Sequence, residues 1–223
     1  RWCPDTHEEP LRVSCVQTGS RSGPVGSTDG PQPFADGLVV TEEQPTFWGF
    51  TPDLRVPGRV EVRMRATITA RSMFAFWLAG IEDRPERSGE VLAVEVFGDA
   101  VHDGRAEVGM GVRRFRDPAL REGFATVPLA LDVAELHTYS VAWAPGSLEI
   151  GVDGQVVRRD DQTPAYPMQL MIGVFDFPAK AEAKADAEAP APADPEGDDE
   201  GGPVPVPELV VAHMRGSYGS LEG

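Results

Sequence analysis

Two glutamates stand five positions apart in the stretch SGEVLAVEVFGD, residues 88–99, inside an otherwise apolar run of strand-forming residues. Carboxylates in pairs do nucleophilic and general acid–base work. A pair about 5 Å apart suits a double displacement at an anomeric carbon, one group as nucleophile and the other as acid and then base. In a regular strand successive side chains point to opposite faces, so Glu90 and Glu95 would be separated by the sheet itself. A single β-bulge between them adds one residue and restores a common face. If the two carboxylates cooperate, the strand over 89–97 must be bulged. Glu95 lies among Val94, Val96 and Phe97, where a buried carboxylate without a partner costs several kcal/mol, so structure alone would rarely select it. For Glu90 the plain alternative is a solvated carboxylate following the polar loop EDRPERSG.

The elements that would position this pair are strands. Residues 59–69, RVEVRMRATIT, alternate with period two: Val60, Val62, Met64, Ala66 and Ile68 face one way, Arg59, Glu61, Arg63, Arg65 and Thr67 the other. Further strands are predicted over 72–80, 89–97, 106–115, 137–144, 147–159, 167–177 and 208–219. Within 147–159 the dipeptide Asp153-Gly154 marks a two-residue hairpin turn. Only DPALREGFATV, 117–127, reads as a short helix. Residues 179–207 are rich in Ala, Pro and acid, with almost nothing to bury, and read as a disordered surface loop. Because a strand-like segment follows, the loop is expected to interrupt one domain covering 1–223 rather than to end it.

With 223 residues and 41% hydrophobic content, the chain can bury a core of a large all-β kind. No apolar run is long enough to span a bilayer as a helix, so no membrane partner is expected. The net charge of −16 argues against nucleic acid, whose phosphates would be repelled. Eight Asp or Glu and two Lys within 179–202 supply −6 of it, so the remainder is acidic too. Cys3 and Cys15, the only cysteines, lack metal-ligand spacing. They could pair in an exported protein or remain two free thiols. The chain begins at Arg1, as it would if a leader or first segment had been removed, and no compartment can be read from it. No Ser-His-Asp or phosphate-loop pattern competes with the carboxylate pair.

GEVLAVE (89–95) resembles the Glu-x-Asp-x-x-Glu signature of glycoside hydrolase family 16, in the bulged form of its laminarinase-like members. PGRVEVRMRA, FAFWLAG, HTYSVAWAPGSLEIGVDGQVV and YPMQLMIGV are similar, in order and spacing, to the family's flanking strands, and ELVVAHMRG to its closing strand. The resemblance implies an all-β, concanavalin A-like jelly roll: two curved antiparallel sheets with a sugar cleft on the concave one. It implies Glu90 as nucleophile and Glu95 as acid/base, in a retaining glycosidase or transglycosylase acting on a β-linked polysaccharide or oligosaccharide. Trp77, Trp48 and Gln169 become candidate substrate-binding residues. A monomer without cofactor or metal is expected, secreted if it follows the family. The family's opening Asp-Glu-Phe-like segment has no match before Cys3 and is expected upstream.

Three positions depart from that pattern. Leu92 stands where the family has its middle Asp, Met73 where it usually has a first Trp, and GMGVRRF carries no counterpart of a histidine often found on the neighbouring strand. A non-catalytic sugar-binding protein on the same fold is therefore the alternative function. Trp143 is expected in the core, and His137 and Asp153 at a strand start and a turn.

Overall fold

Period-two alternation and Gly/Pro punctuation produce twelve strands among the described residues. They are β1 (Arg12–Gln17), β2 (Gly58–Thr67), β3 (Ser72–Gly80), β4 (Glu90–Phe97), β5 (Val101–His102), β6 (Arg105–Arg113), β7 (Ala125–Leu129), β8 (His137–Ala144), β9 (Ser147–Val152), β10 (Gln155–Asp160), β11 (Met168–Asp176) and β12 (Glu208–Tyr218). The computed structural model of the chain describes residues 12–19, 23–29, 37, 39–41, 49–177 and 205–219.

All strand pairings are antiparallel, and they form two sheets. The larger runs β1-β11-β3-β4-β6-β5, with β7 on the other side of β6; the smaller runs β10-β9-β8-β2-β12. The core lies between them. Val60, Val62 and Met64 of β2 and Tyr139 and Val141 of β8 are fully buried, as are Phe74, Phe76 and Leu78 of β3. The Phe74 and Tyr139 rings meet edge-on at 6.4 Å. Truncating such a residue as Phe76 to Ala would cost about 3–5 kcal/mol, because a well-packed sandwich collapses poorly around a lost ring. On the outer side of β2, Glu61 accepts hydrogen bonds from Arg59, at 2.6 Å to Nη2, and from Arg215.

The turn at Asp153-Gly154 has positive φ at both residues, +48° and +77°, as a type I′ hairpin requires. Asp153 is tied down there: its Oδ1 accepts the Thr138 backbone N–H at 2.8 Å and its Oδ2 lies 2.6 Å from His137 Nδ1. The pair staples a hairpin at the edge of the smaller sheet. Trp143 is buried, its indole N–H donating to the Val56 carbonyl at 2.8 Å.

Residues 117–127 are not helical. Asp117 Oδ1 caps the Ala119 N–H at 2.8 Å in a turn, the chain then runs extended, and Ala125–Leu129 becomes β7. The apolar spacing that resembled a helix is overridden by pairing with the open side of β6, Met110 opposite Ala125 through Ala106 opposite Leu129. Pro128 is tolerated because β7 is an edge strand, so a missing N–H breaks no second ladder. β1 was also not anticipated. It is short and mostly exposed, and joins the sheet as the outer neighbour of β11. The predicted loop 179–207 lies almost wholly outside the described residues; beyond it, β12 pairs with β2 along the smaller sheet. Cys15 is a free thiol, and Cys3 lies outside the described residues.

Candidate active site

The register of β4 carries the site. Ala79 pairs with Glu90, Leu78 with Val91 and Trp77 with Leu92, but Phe76 pairs with Val94, which leaves Ala93 as an extra residue. The other flank agrees: Leu92 pairs with Gly111 and Glu95 with Gly109, three steps along β4 against two along β6. This is a β-bulge, and its consequence follows from the pleat. Directly opposed residues of an antiparallel pair share a face, and Ala75, Trp77 and Ala79 alternate along β3. Glu95, Leu92 and Glu90 therefore share one face, while Val91, Ala93, Val94 and Val96 all turn into the core.

On that face, small residues cross the strands at the level of Glu95: Gly173 of β11 and Ala75 of β3 on one side, Gly109 of β6 on the other. Larger side chains stand at the levels before and after, Met171, Trp77 and Leu92 to one side and Phe175, Met73 and Phe97 to the other. The result is a trough perpendicular to the strands, with Glu95 in its floor and Glu90 two levels away. At Gly109 only glycine fits, since a Cβ would sit 2.6 Å from the Phe124 ring. Gly111, at φ +119°, is held by the same returning segment: its Cβ would meet the Gly123 carbonyl oxygen at 2.3 Å.

Along one wall the rings of Trp77, Phe175, Phe177 and Phe97 form a connected aromatic patch, with centroid spacings of 6.2, 6.5 and 6.1 Å in that order. Each is half-buried, an arrangement that leaves ring surface for the apolar side of a pyranose. Trp77 stands on the same face as Glu95 and Glu90. Gln169 does too: it pairs opposite Ala79 at the level of Glu90, is buried, and accepts a hydrogen bond from the Gln17 side-chain amide. Trp48 lies outside the described residues.

Glu90 and Glu95 sit in different electrostatic surroundings. Burial pushes the Glu90 carboxyl up to about 7 from 4.5; Arg113 pulls the other way, the negative charges of Glu95 and Glu82 add to the rise, and a hydrogen bond from Trp77 opposes it. Glu95 is bound by Arg113, whose Nη2 donates to Oε1 at 2.8 Å. The guanidinium lies 4.0 Å above the centre of the Phe124 ring. The start of β4 is pinned as well. The Gly89 N–H donates to Tyr166 Oη at 2.9 Å, and Tyr166 Oη donates to Asp117 Oδ2 at 2.8 Å. The Arg116 N–H donates to Ser88 Oγ at 3.0 Å.

Arg113, Phe124, Phe97, Phe175 and Phe177 were not singled out from the sequence. Phe97 and Phe175 could have been, since they share strand parity with Glu95 and Gln169. Arg113 and Phe124 could not, because the first needs the β4–β6 register and the second the path of the segment before β7. Leu92 is 2% exposed, lies between Trp77 and Gly111, and offers no hydrogen bond to either carboxyl.

The sequence profile of the glycosyl hydrolases family 16 matches residues 56–189, and the chain belongs to that family. Its fold is that of an endo-β-galactosidase from Clostridium perfringens that releases GlcNAcα1-4Gal, with a TM-score of 0.57 at 17% identity over 78% of this chain. This chain spans 43% of the length of that structure. The catalytic domain of an endo-1,3-β-glucanase (laminarinase) from Thermotoga petrophila is 21% identical over 57% of this chain and 55% of its own, with a TM-score of 0.46. A β-glucanase from Bacillus licheniformis is 21% identical over 60% of this chain and 58% of its own, with a TM-score of 0.47. No curated protein matches the chain.

Proposed function

We propose that this chain is a retaining hydrolase or transglycosylase of β-linked glucan or galactan, with Glu90 as nucleophile and Glu95 as acid and then base. The observation that carries the reading is the extra residue at Ala93, which brings two carboxylates onto the face that also bears the trough and the aromatic patch. Family membership supports the reaction class. In the first step a Glu90 oxygen attacks the anomeric carbon as the glycosidic C–O bond breaks and the Glu95 proton passes to the leaving oxygen. In the second, Glu95 takes a proton from water, whose oxygen displaces Glu90 and regenerates the free carboxylate. The aromatic wall would hold successive pyranose rings across the strands, with Trp77 and Gln169 in contact with sugar near the nucleophile.

The test is a panel of β-glucans and β-galactans assayed for release of reducing ends. Wild type is expected to hydrolyse at least one of them. Glu90→Gln should lose turnover by a factor of at least about 10³ while keeping glycan binding, since the amide preserves shape and removes the nucleophile. Glu95→Gln should lose most on polysaccharide and least on activated aryl glycosides, whose leaving groups need no proton. Binding without product across the panel, unchanged by Glu90→Gln, would instead mark a sugar-binding protein.

A further inference from the structure

Arg113 occupies an unusual place relative to the carboxylate pair. Its backbone partner across the ladder is Glu90, yet its guanidinium binds Glu95, at 2.8 Å. The positive charge thus stands within reach of both groups, and its planar head rests on the Phe124 ring, which orients it without using any of its donors. Phe124 in turn is fixed over Gly109 by the segment that Arg158 holds through the Gly123 carbonyl. Because Leu92 fills the position between the carboxyls with hydrocarbon, no acid there can share a proton or a hydrogen bond with either of them.

Resting on the glycosidase reading above, we propose that Arg113 is the positioning residue that decides which carboxyl of the pair carries the proton. While its guanidinium is hydrogen-bonded to Glu95, the half-buried Glu90 opposite keeps its proton. When a sugar enters the trough and the guanidinium turns to its own cross-strand neighbour, Glu90 becomes the charged nucleophile and Glu95 is released to hold the proton for the leaving group. No atom is gained or lost; one proton moves from Glu90 to Glu95 as the ion pair changes partner. Other groups around the pair compete poorly for this task. β3 contributes Trp77, and the segment after it contributes Glu82, a like charge. β11 contributes uncharged Gln169. β7 contributes Thr126, opposite Gly109, and the segment before it the Phe124 ring. Arg158 of β10 is committed to the Gly123 carbonyl.

The experiment compares wild type with Arg113→Met, which keeps the apolar stem on Phe124 and loses the charge, and with Arg113→Lys. Protein labelled with carbon-13 at the glutamate carboxyls is titrated by NMR, the Glu90 signal being assigned by its loss in Glu90→Gln. Arg113→Met is expected to move the Glu90 midpoint up by about one pH unit or more, the effect of removing an opposite charge within a few ångströms. The acid limb of kcat/KM should move with it and KM should hardly change, whereas Arg113→Lys should restore most of the shift. Phe124→Leu, which frees the guanidinium without removing it, should give a smaller change in the same direction. A Glu90 midpoint unmoved in an Arg113→Met protein that melts like wild type would overturn the proposal, as would a lysine variant that titrates like the methionine one. If wild type hydrolyses nothing on the glycan panel, the glycosidase reading fails on that result alone, and the titration still judges Arg113.

Discussion

Glu90 is half-buried, and its carboxyl titrates near 7 rather than 4.5, chiefly because burial disfavours the charged form. That has a measurable effect on stability without any substrate. Below the ordinary carboxylate range both folded and unfolded chains hold the proton, so the group contributes no pH dependence. As pH rises through 4.5 the unfolded chain loses the proton while the folded one keeps it, and folding becomes less favourable until the folded group ionises near 7. The gap corresponds to roughly 3 kcal/mol at full effect. Glu90→Gln removes the titration. The variant and the wild type should therefore melt together near pH 4, while at pH 8 the variant should melt several degrees higher; equal melting temperatures at both would show that Glu90 is not buried as described. The identity of the two glutamates was readable because acids are conspicuous in an apolar strand. Arg113 was not, since its importance arises from a partner that only the register brings near: in the sequence it stands eighteen residues from Glu95 among other arginines.

The bulge is the element on which the site depends. Its presence could be argued from spacing, but its exact location could not, because any position between the two glutamates would restore a common face. The structure puts it at Ala93, where Phe76–Val94 and Trp77–Leu92 are successive pairs on β3. Inserting a second alanine beside Ala93 should keep the bulge but add one regular position to β4, and so turn Glu90 and Leu92 toward the core and Val91 toward the cleft, or force the strand to slip by a residue. We expect hydrolysis to be lost and the melting temperature to fall by many degrees, whereas Ala93→Gly should keep the bulge and most activity. Full turnover by the insertion variant would contradict the register. The false helix at 117–127 has an equally local cause. Its apolar spacing is compatible with either period over so short a run, and what decides the outcome is the unpaired side of β6. β7 became visible only once β6 was known to need a neighbour, and Pro128 pointed away from a strand until it lay at an edge.

At the scale of the whole molecule, the two-sheet architecture was legible in the alternation of β2, the hairpin signal at Asp153-Gly154 and the ordered resemblance of several strands. The trough was not, since it depends on which side chains stand side by side across four strands. The net charge of −16 bears on substrate choice: an acidic surface repels an anionic polymer over about 10 Å at 0.1 M salt. KM for a carboxymethylated β-glucan should thus fall several-fold as salt is raised from about 0.01 to 0.3 M, while KM for the neutral polymer stays level; equal responses would show that the charge does not reach the cleft. The central claim, that Glu90 and Glu95 act as a pair from one face, is tested most directly by the anomeric configuration of freshly released product, followed by proton NMR before mutarotation. Two displacements at one carbon predict that the β configuration of the substrate appears first in the product. Initial release of the α anomer would place the carboxyls too far apart for a covalent intermediate and contradict the account.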